Sequence, residues 1–496
     1  MMRDWSLKKK ILITIGFVIA VYVIYVIVGM LVPFMNLKTI SESYKRENIQ
    51  KLTELYFPKE SDSKQTTKEF FETDRAYLVE TPMEALDARI RMLQEAEHSI
   101  VFSTFDMREG ESTKDLWSVM LDAADRGVQI QVLIDGVSGF LRIQGSDFMK
   151  AVFSHPNVQL RIYNMPNPLL PWTIHGRMHD KYIVVDEKLL LMGGRNTFDY
   201  FLGEYNTEAL SFDRDIFVYD TTEGKNEDSA VTQVLNYFHR VWDLDVCKPM
   251  FEDKKYVQEE SYRQVREELA ERLINIKQEK PELFSDTMSY EEMTVPLKQA
   301  TLITGPVGIY GKEPQVFASC VELMKRAEKN VTIQTPYAVF SDWMEKEMGE
   351  VARNVPESKM LINSVANGDN LVASSDYLRH KKEILDTGLA VYEYDGGHSF
   401  HGKSILIDDR ISVIGSYNFD MRSTYVDTEM MLVVESEPFA CMLKEKMDQM
   451  ETMSRKVIDE TSYEENPNVS PREIPWEKQL IFDVVGFGIQ ICRYLV

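Results

Sequence analysis

The stretch that decides the fold reads Met178-His179-Asp180-Lys181-Tyr182-Ile183-Val184-Val185-Asp186, followed by Gly193-Gly194-Arg195-Asn196. It recurs as Phe400-His401-Gly402-Lys403-Ser404-Ile405-Leu406-Ile407-Asp408, followed by Gly415-Ser416-Tyr417-Asn418. In both copies a Lys stands two residues after the His and an Asp five after the Lys, with Gly and Asn at matching further offsets. The 496 residues contain only 8 histidines. Two of them in equivalent places of one pattern mark an internal duplication, where a single copy would be a weak signal.

The spacing carries chemistry. On a strand, residues i and i+2 share a face, so each His and its Lys point the same way, while the Asp at odd separation points away. Asp186 and Asp408 are therefore read as structural, bonding local backbone or a charged partner. A short turn after the apolar strand returns the chain, so that Asn196 or Asn418 comes alongside the Lys. Two such faces together present two imidazoles, two ammonium groups and two carboxamides. That set suits a phosphodiester: Lys181, Lys403, Asn196, Asn418 and Ser416 support the phosphoryl oxygens as charge builds. One imidazole attacks phosphorus, and the other protonates the departing alkoxide and then deprotonates the incoming alcohol. The catalytic set is His179, Lys181, His401 and Lys403, with no metal and no cofactor.

A nucleophilic imidazole needs a carboxylate to fix its tautomer. In the second half the candidate is Glu429, which opens an apolar strand. In the first half the candidates are Asp215 and Glu208, and Asp215 is preferred because it too begins an apolar strand. His175 and His398, close to the motifs, are read as loop residues, and the other four histidines as structural.

Around the motifs, helical and strand patterns alternate: helix-like 83–97 and 116–126 with strands 99–105 and 128–134. The alternation resumes from 300, with helices 315–328, 342–353 and 376–385 and strands 330–336, 359–364 and 389–394. This predicts an α/β fold of two duplicated α-β-α sandwich halves, each with a parallel or mixed sheet, with the site at their interface. Residues 252–293 are charged and helix-prone. Val257, Val265, Leu269, Leu273 and Ile276 form a narrow apolar stripe, and the segment is read as a solvated connecting helix. The expected divisions are an anchor at 1–35, a linker at 36–74 that includes the polar stretch 61–67, a first domain at 75–250, a connector at 251–299, a second domain at 300–460 and a tail at 461–496.

Residues 11–34 carry no charge across 24 positions, enough to span a hydrocarbon core of about 30 Å. The run lacks a small-residue cleavage site, so it reads as an uncleaved single-pass anchor. Lys8, Lys9 and Lys10 before it favour the N-terminus inside and the body on the outer face of the cell membrane. The apolar stretch from Pro475, broken by Asp483 and glycines, reads either as an interfacial helix or as a terminal helix packed on the domain. The four cysteines lie far apart and form neither a metal cluster nor a disulfide framework. A net charge of -23 argues against nucleic acid, which requires a basic surface.

On these residues the chain resembles the phospholipase D superfamily, whose signature is this duplicated pattern, from about Arg75 to Glu435. Within it the chain is similar to the bacterial cardiolipin synthases of the C-type branch. That likeness rests on Arg177-Met178-His179-Asp180-Lys181 with Gly193-Gly194-Arg195-Asn196, and on Gly415-Ser416-Tyr417-Asn418-Phe419-Asp420-Met421-Arg422-Ser423. Asn363-Ser364, the segment 389–394 and Thr335-Pro336-Tyr337 add to it. The resemblance implies transfer of a phosphatidyl group through a phosphohistidine to the hydroxyl of phosphatidylglycerol, from phosphatidylglycerol or phosphatidylethanolamine. It also implies His179 as nucleophile and His401 as acid and base. A monomer pairing its own two halves is expected. Two departures stand out: one spanning helix where many synthases have two, and Gly194 where many members carry a small hydroxyl residue. Hydrolysis to phosphatidic acid, or a nuclease of the same fold, are the alternative functions.

Overall fold

The computed structural model describes residues 7–58, 73–205, 210–285, 289–470, 472 and 474–496. Glu208 and the polar stretch 61–67 lie outside them. The motif strand Tyr182–Val185 is buried at every position, as is Ser404–Ile407. That burial on both faces is why these runs are continuously apolar instead of alternating. Each sits mid-sheet, between Leu189–Gly193 and Ser99–Thr104 in the first half, and between Ile411–Gly415 and Asn330–Gln334 in the second.

Both sheets are mixed and built alike. In the first, Ser99–Thr104, Gln129–Asp135 and Val158–Tyr163 run parallel to one another, with antiparallel strands on either side. The second repeats this with Asn330–Gln334, Glu357–Asn363 and Ala390–Tyr394. Helices cover the outer faces. The inner faces pack together with the helices Ala230–Trp242 and Glu437–Thr452 in one core that mixes residues of both halves, among them Leu190, Ile216, Phe238, Ile414, Leu432 and Phe439. Each fully buried apolar side chain contributes roughly 2 kcal/mol, so a shared core of this size holds the halves as one body.

One expectation is corrected. The connecting helix Glu260–Glu279 is not simply solvated: Leu269, Leu273 and Ile276 are buried in the outer core of the first half, with Val265 partly buried against it. The stripe was narrow because the helix touches the domain along one line only. Part of the stretch expected as a linker also packs on the body. Residues 42–56 are helical, and Tyr56 is fully buried, its hydroxyl 2.8 Å from the carbonyl of Val433.

Among the described residues one helix, Leu7–Leu31, is long and apolar enough to cross a membrane, and it has no buried residue. It anchors the chain in a membrane. The tail forms the helix Trp476–Gly488, which packs on the helix Leu371–Asp386 through Phe482 and Gly486, the latter against the backbone of Ser375.

Candidate active site

Each motif strand ends in a tight hairpin whose first turn residue is the motif aspartate. Asp186 and Glu187, and Asp408 and Asp409, all have φ between 50° and 55°, the left-handed pair at the centre of a turn closed by the amide of Lys188 on the carbonyl of Val185 at 3.0 Å and by that of Arg410 on Ile407 at 3.1 Å. Asp186 accepts the amides of Glu97, His98 and Ser99 at 2.6, 2.8 and 2.7 Å. Asp408 accepts those of Glu328, Lys329 and Asn330 at 3.0, 2.7 and 3.2 Å. Both carboxylates thus lie at the far end of their strands from the histidines. Asp186→Ala should lower stability by about 2–3 kcal/mol, because three amides lose a charged acceptor. Denaturant unfolding monitored beside activity checks this; a stable but inactive variant would contradict it.

At the other end the halves meet by short strand pairings. Met178 bridges Thr428 in parallel, and Phe400 pairs with Phe212 in the same sense. The residues that follow are His179 and Glu429 in the first bridge, and His401 and Asp213 in the second. His179 Nδ1 lies 2.8 Å from Glu429 Oε1, and His401 Nδ1 lies 2.7 Å from Asp213 Oδ2. Each imidazole is therefore held by a carboxylate of the other half. Lys181 Nζ donates to the carbonyl of His179, and Lys403 Nζ to that of His401. His179, Lys181 and Lys403 are buried, and the His401 side chain is partly exposed.

Asp215 is not an orienting residue, and the expectation is corrected. It is buried between Arg89 at 3.0 Å and Arg195 at 3.1 Å. The register explains the error. Gly193 faces Asp215, whereas Gly415 faces Met431, so two residues back from each stand Asp213 and Glu429. Asp213 is the true counterpart of Glu429, but the first-half loop is six residues longer, which hid the match. Its neighbour explains Gly194: a Cβ there would meet Asp213 Oδ1 at 2.4 Å. The equivalent Ser416 donates its hydroxyl to Glu429 Oε2 at 2.5 Å, so the second half fixes its carboxylate with a side chain where the first half makes room for one.

Asn196 and Asn418 are buried, each with an Oδ1 that has no protein partner. Buried orphans of this kind are retained where a ligand or a rotated carboxamide relieves them. Phe105 and Phe201 stand edge-on to His179 and His401 with ring centroids at 4.9 and 5.2 Å, enclosing the imidazoles. Behind them Asp180 accepts Tyr237 at 2.7 Å and Thr428 at 2.8 Å. Asp213, Thr428, Asp180 and the two phenylalanines were missed because nothing in their local pattern repeats.

Burial, then Lys181 and Lys403, hold His179 well below its ordinary 6.5, so it rests neutral. Burial would raise Asp213, but Lys403 and His401 outweigh it and keep the carboxylate well below the usual range, hence ionised. Burial pushes Lys181 down to about 7 against the attraction of Glu429. An ammonium that holds a phosphoryl oxygen is present below that pH and lost above it. kcat/KM should thus fall as pH rises through about 7, with the acidic limb below 6.5. Lys181→Arg, whose guanidinium stays charged, should lose the alkaline limb in its residual activity. Persistence of that limb would assign it to another group.

Two apposed His-Lys faces with crossed carboxylates, on a duplicated α/β scaffold, are the arrangement of a phospholipase D-type enzyme. The family described as "Cardiolipin synthase, PLD-like domain" matches residues 90–242 and 320–451, more than half of the chain, and the protein belongs to that family. Cardiolipin synthase C of Escherichia coli (strain K12) is 26% identical over 422 residues, covering 75% of this chain and 83% of that protein. The minor cardiolipin synthase ClsB of Bacillus subtilis (strain 168) is 21% identical over 395 residues, covering 79% and 85%. A solved phosphatidylserine synthase from Haemophilus influenzae Rd KW20 shares the fold, with a TM-score of 0.59 at 14% identity over 85% of this chain and 95% of that one.

Proposed function

We propose that the protein is a membrane-anchored phosphatidyltransferase that makes cardiolipin from phosphatidylglycerol. The observation that carries this is the crossed pair of histidine–carboxylate contacts in a chain whose relatives are cardiolipin synthases. His179 Nε2 attacks the phosphorus of a donor phosphatidylglycerol, forming an N–P bond as the P–O bond to the headgroup glycerol breaks. Burial and Lys403 lower His401, and the ionised Asp213 counters them; in its protonated form His401 gives its proton to the leaving glycerol oxygen. It then takes a proton from the headgroup hydroxyl of a second phosphatidylglycerol, whose oxygen attacks phosphorus and frees His179. Lys181, Lys403, Asn196, Asn418 and Ser416 hold or frame the phosphoryl oxygens through both steps. Phosphatidylethanolamine fits the donor step equally, with ethanolamine leaving. Glu429 and Asp213 fix the two tautomers, and Asp186 and Asp408 brace the strands.

One chain supplies both halves of this site, so a monomer suffices. Lys8, Lys9 and Lys10 support a reading with the N-terminus inside and the catalytic body on the outer face of the cell membrane. The -23 net charge is unsuited to a nucleic-acid substrate. Purified protein in phosphatidylglycerol vesicles should yield cardiolipin and glycerol in equal amounts by lipid mass spectrometry. Phosphatidic acid with no cardiolipin at any acceptor density would instead make it a hydrolase.

A further inference from the structure

The anchor does not leave the body as a free tether. Tyr22 and Tyr25 donate to the carbonyls of Pro168 and Leu169, each at 2.7 Å. Gly29 packs against Trp172, where a Cβ would meet the ring at 2.9 Å. These tyrosines stand nine and six residues before Leu31, about 14 and 9 Å from the helix end at 1.5 Å per residue. The loop that carries Leu169, 74% exposed, and Leu170 therefore runs back alongside the apolar length of the anchor. Backbone carbonyls at such a depth must find donors within the protein, and the two hydroxyls supply them.

The C-terminal helix lies on the same side. Tyr494 donates to the carbonyl of Leu31 at 2.9 Å, so the chain end and the anchor exit touch. While Phe482 and Gly486 face the body, Trp476, Leu480, Val484 and Phe487 are exposed, Trp476 and Phe487 at 72% each. At 100° per residue these four fall within about 80° of arc, an apolar stripe opposite the packed face. Ile491 continues the stripe beyond the helix end. Arg422 ties this region to the site: it bonds the carbonyls of His175 at 3.0 Å and Leu495 at 3.4 Å, and Asp427 at 2.9 Å. Asp427 is two residues before Glu429.

We infer that the exposed stripe of the C-terminal helix and the 168–170 loop form a second membrane contact, seated in the interfacial layer of the leaflet through which the anchor leaves, and present the catalytic cleft to lipids in that plane. Continuity with the anchor commits this face to a lipid surface: the 168–170 loop is bonded to Tyr22 and Tyr25 within the anchor, and the chain end that follows the helix is bonded to Leu31 at its last turn. An interfacial helix buries its apolar face about 5–10 Å deep, which matches the depth of the Tyr25 contact. The inference rests on the reading of the site as one that acts on bilayer phospholipids, but one arm of its test does not.

The full chain in proteoliposomes is compared with Trp476→Phe, so that the difference spectrum isolates Trp476. Brominated phosphatidylcholine should quench that difference signal and its emission should be blue-shifted; a red, unquenched signal overturns the inference. Trp476 shielded from bromolipid in a chemically cross-linked dimer overturns it too, assigning the stripe to a second copy. Leu480→Gln/Val484→Gln/Phe487→Gln should raise KM for vesicle phosphatidylglycerol at least about tenfold. Its turnover of monomeric dihexanoyl phosphatidylglycerol should stay at the wild-type rate. Unchanged KM on vesicles contradicts the inference. If the triple variant loses its thermal transition, the quenching arm decides alone. A wild type that turns over neither lipid overturns the phosphatidyltransfer reading and leaves the quenching result standing.

Discussion

His179→Ala and His401→Ala are each expected to lower turnover by at least about 10,000-fold, and the double variant by little more. The two imidazoles act on the same phosphorus in sequence, so removing either stops the cycle. The loss should fall on kcat, since Lys181, Lys403 and the carboxamides still bind the phosphodiester. Neither substitution should unfold the protein. When an imidazole is removed, Glu429 keeps the hydroxyl of Ser416 and Asp213 keeps the amide of Arg214 as hydrogen-bond donors, so neither buried carboxylate is left without a partner. Single-turnover kinetics beside thermal denaturation tests both halves of this expectation. Near-full activity in either variant would contradict a two-histidine mechanism.

The second large effect separates two aspartates that stand two residues apart. Asp213→Asn preserves shape but removes the charge that supports the His401 cation, and should cost about 1,000-fold in kcat with the fold intact. Asp215→Asn strips the charge from a carboxylate buried between two guanidiniums, and should instead cost about 3–5 kcal/mol of stability. Rescue of Asp213→Asn by added formate or acetate is not expected, because the side chain is fully buried. If Asp215→Asn were stable and inactive while Asp213→Asn kept its rate, the crossed pairing would be wrong.

The duplicated motif made the fold legible, because a repeat of His, Lys, Asp, Gly and Asn at fixed offsets constrains two strands and a hairpin in each half. The central pairs were legible as residue types. Their partners were not, because orientation depends on contacts between halves some 190 to 250 residues apart, which no local period encodes. Asp215 misled for a physical reason: it also precedes an apolar strand and also binds cations, but those cations are Arg89 and Arg195 in the core. The connector stripe of Leu269, Leu273 and Ile276 was visible, yet its charged surroundings outweighed three apolar residues. The tail could not be resolved by pattern alone, since Phe482 and Gly486 pack inward while Trp476 and Phe487 stay exposed on the same short helix.

The most direct measurement is intact-protein and peptide mass spectrometry of His401→Asn quenched shortly after mixing with phosphatidylglycerol. Without its acid and base the second step is blocked more completely than the first, so a phosphatidyl adduct should accumulate on His179. The adduct should be acid-labile and absent from His179→Asn. An adduct on any other residue, or turnover to cardiolipin with no adduct at all, would contradict the account.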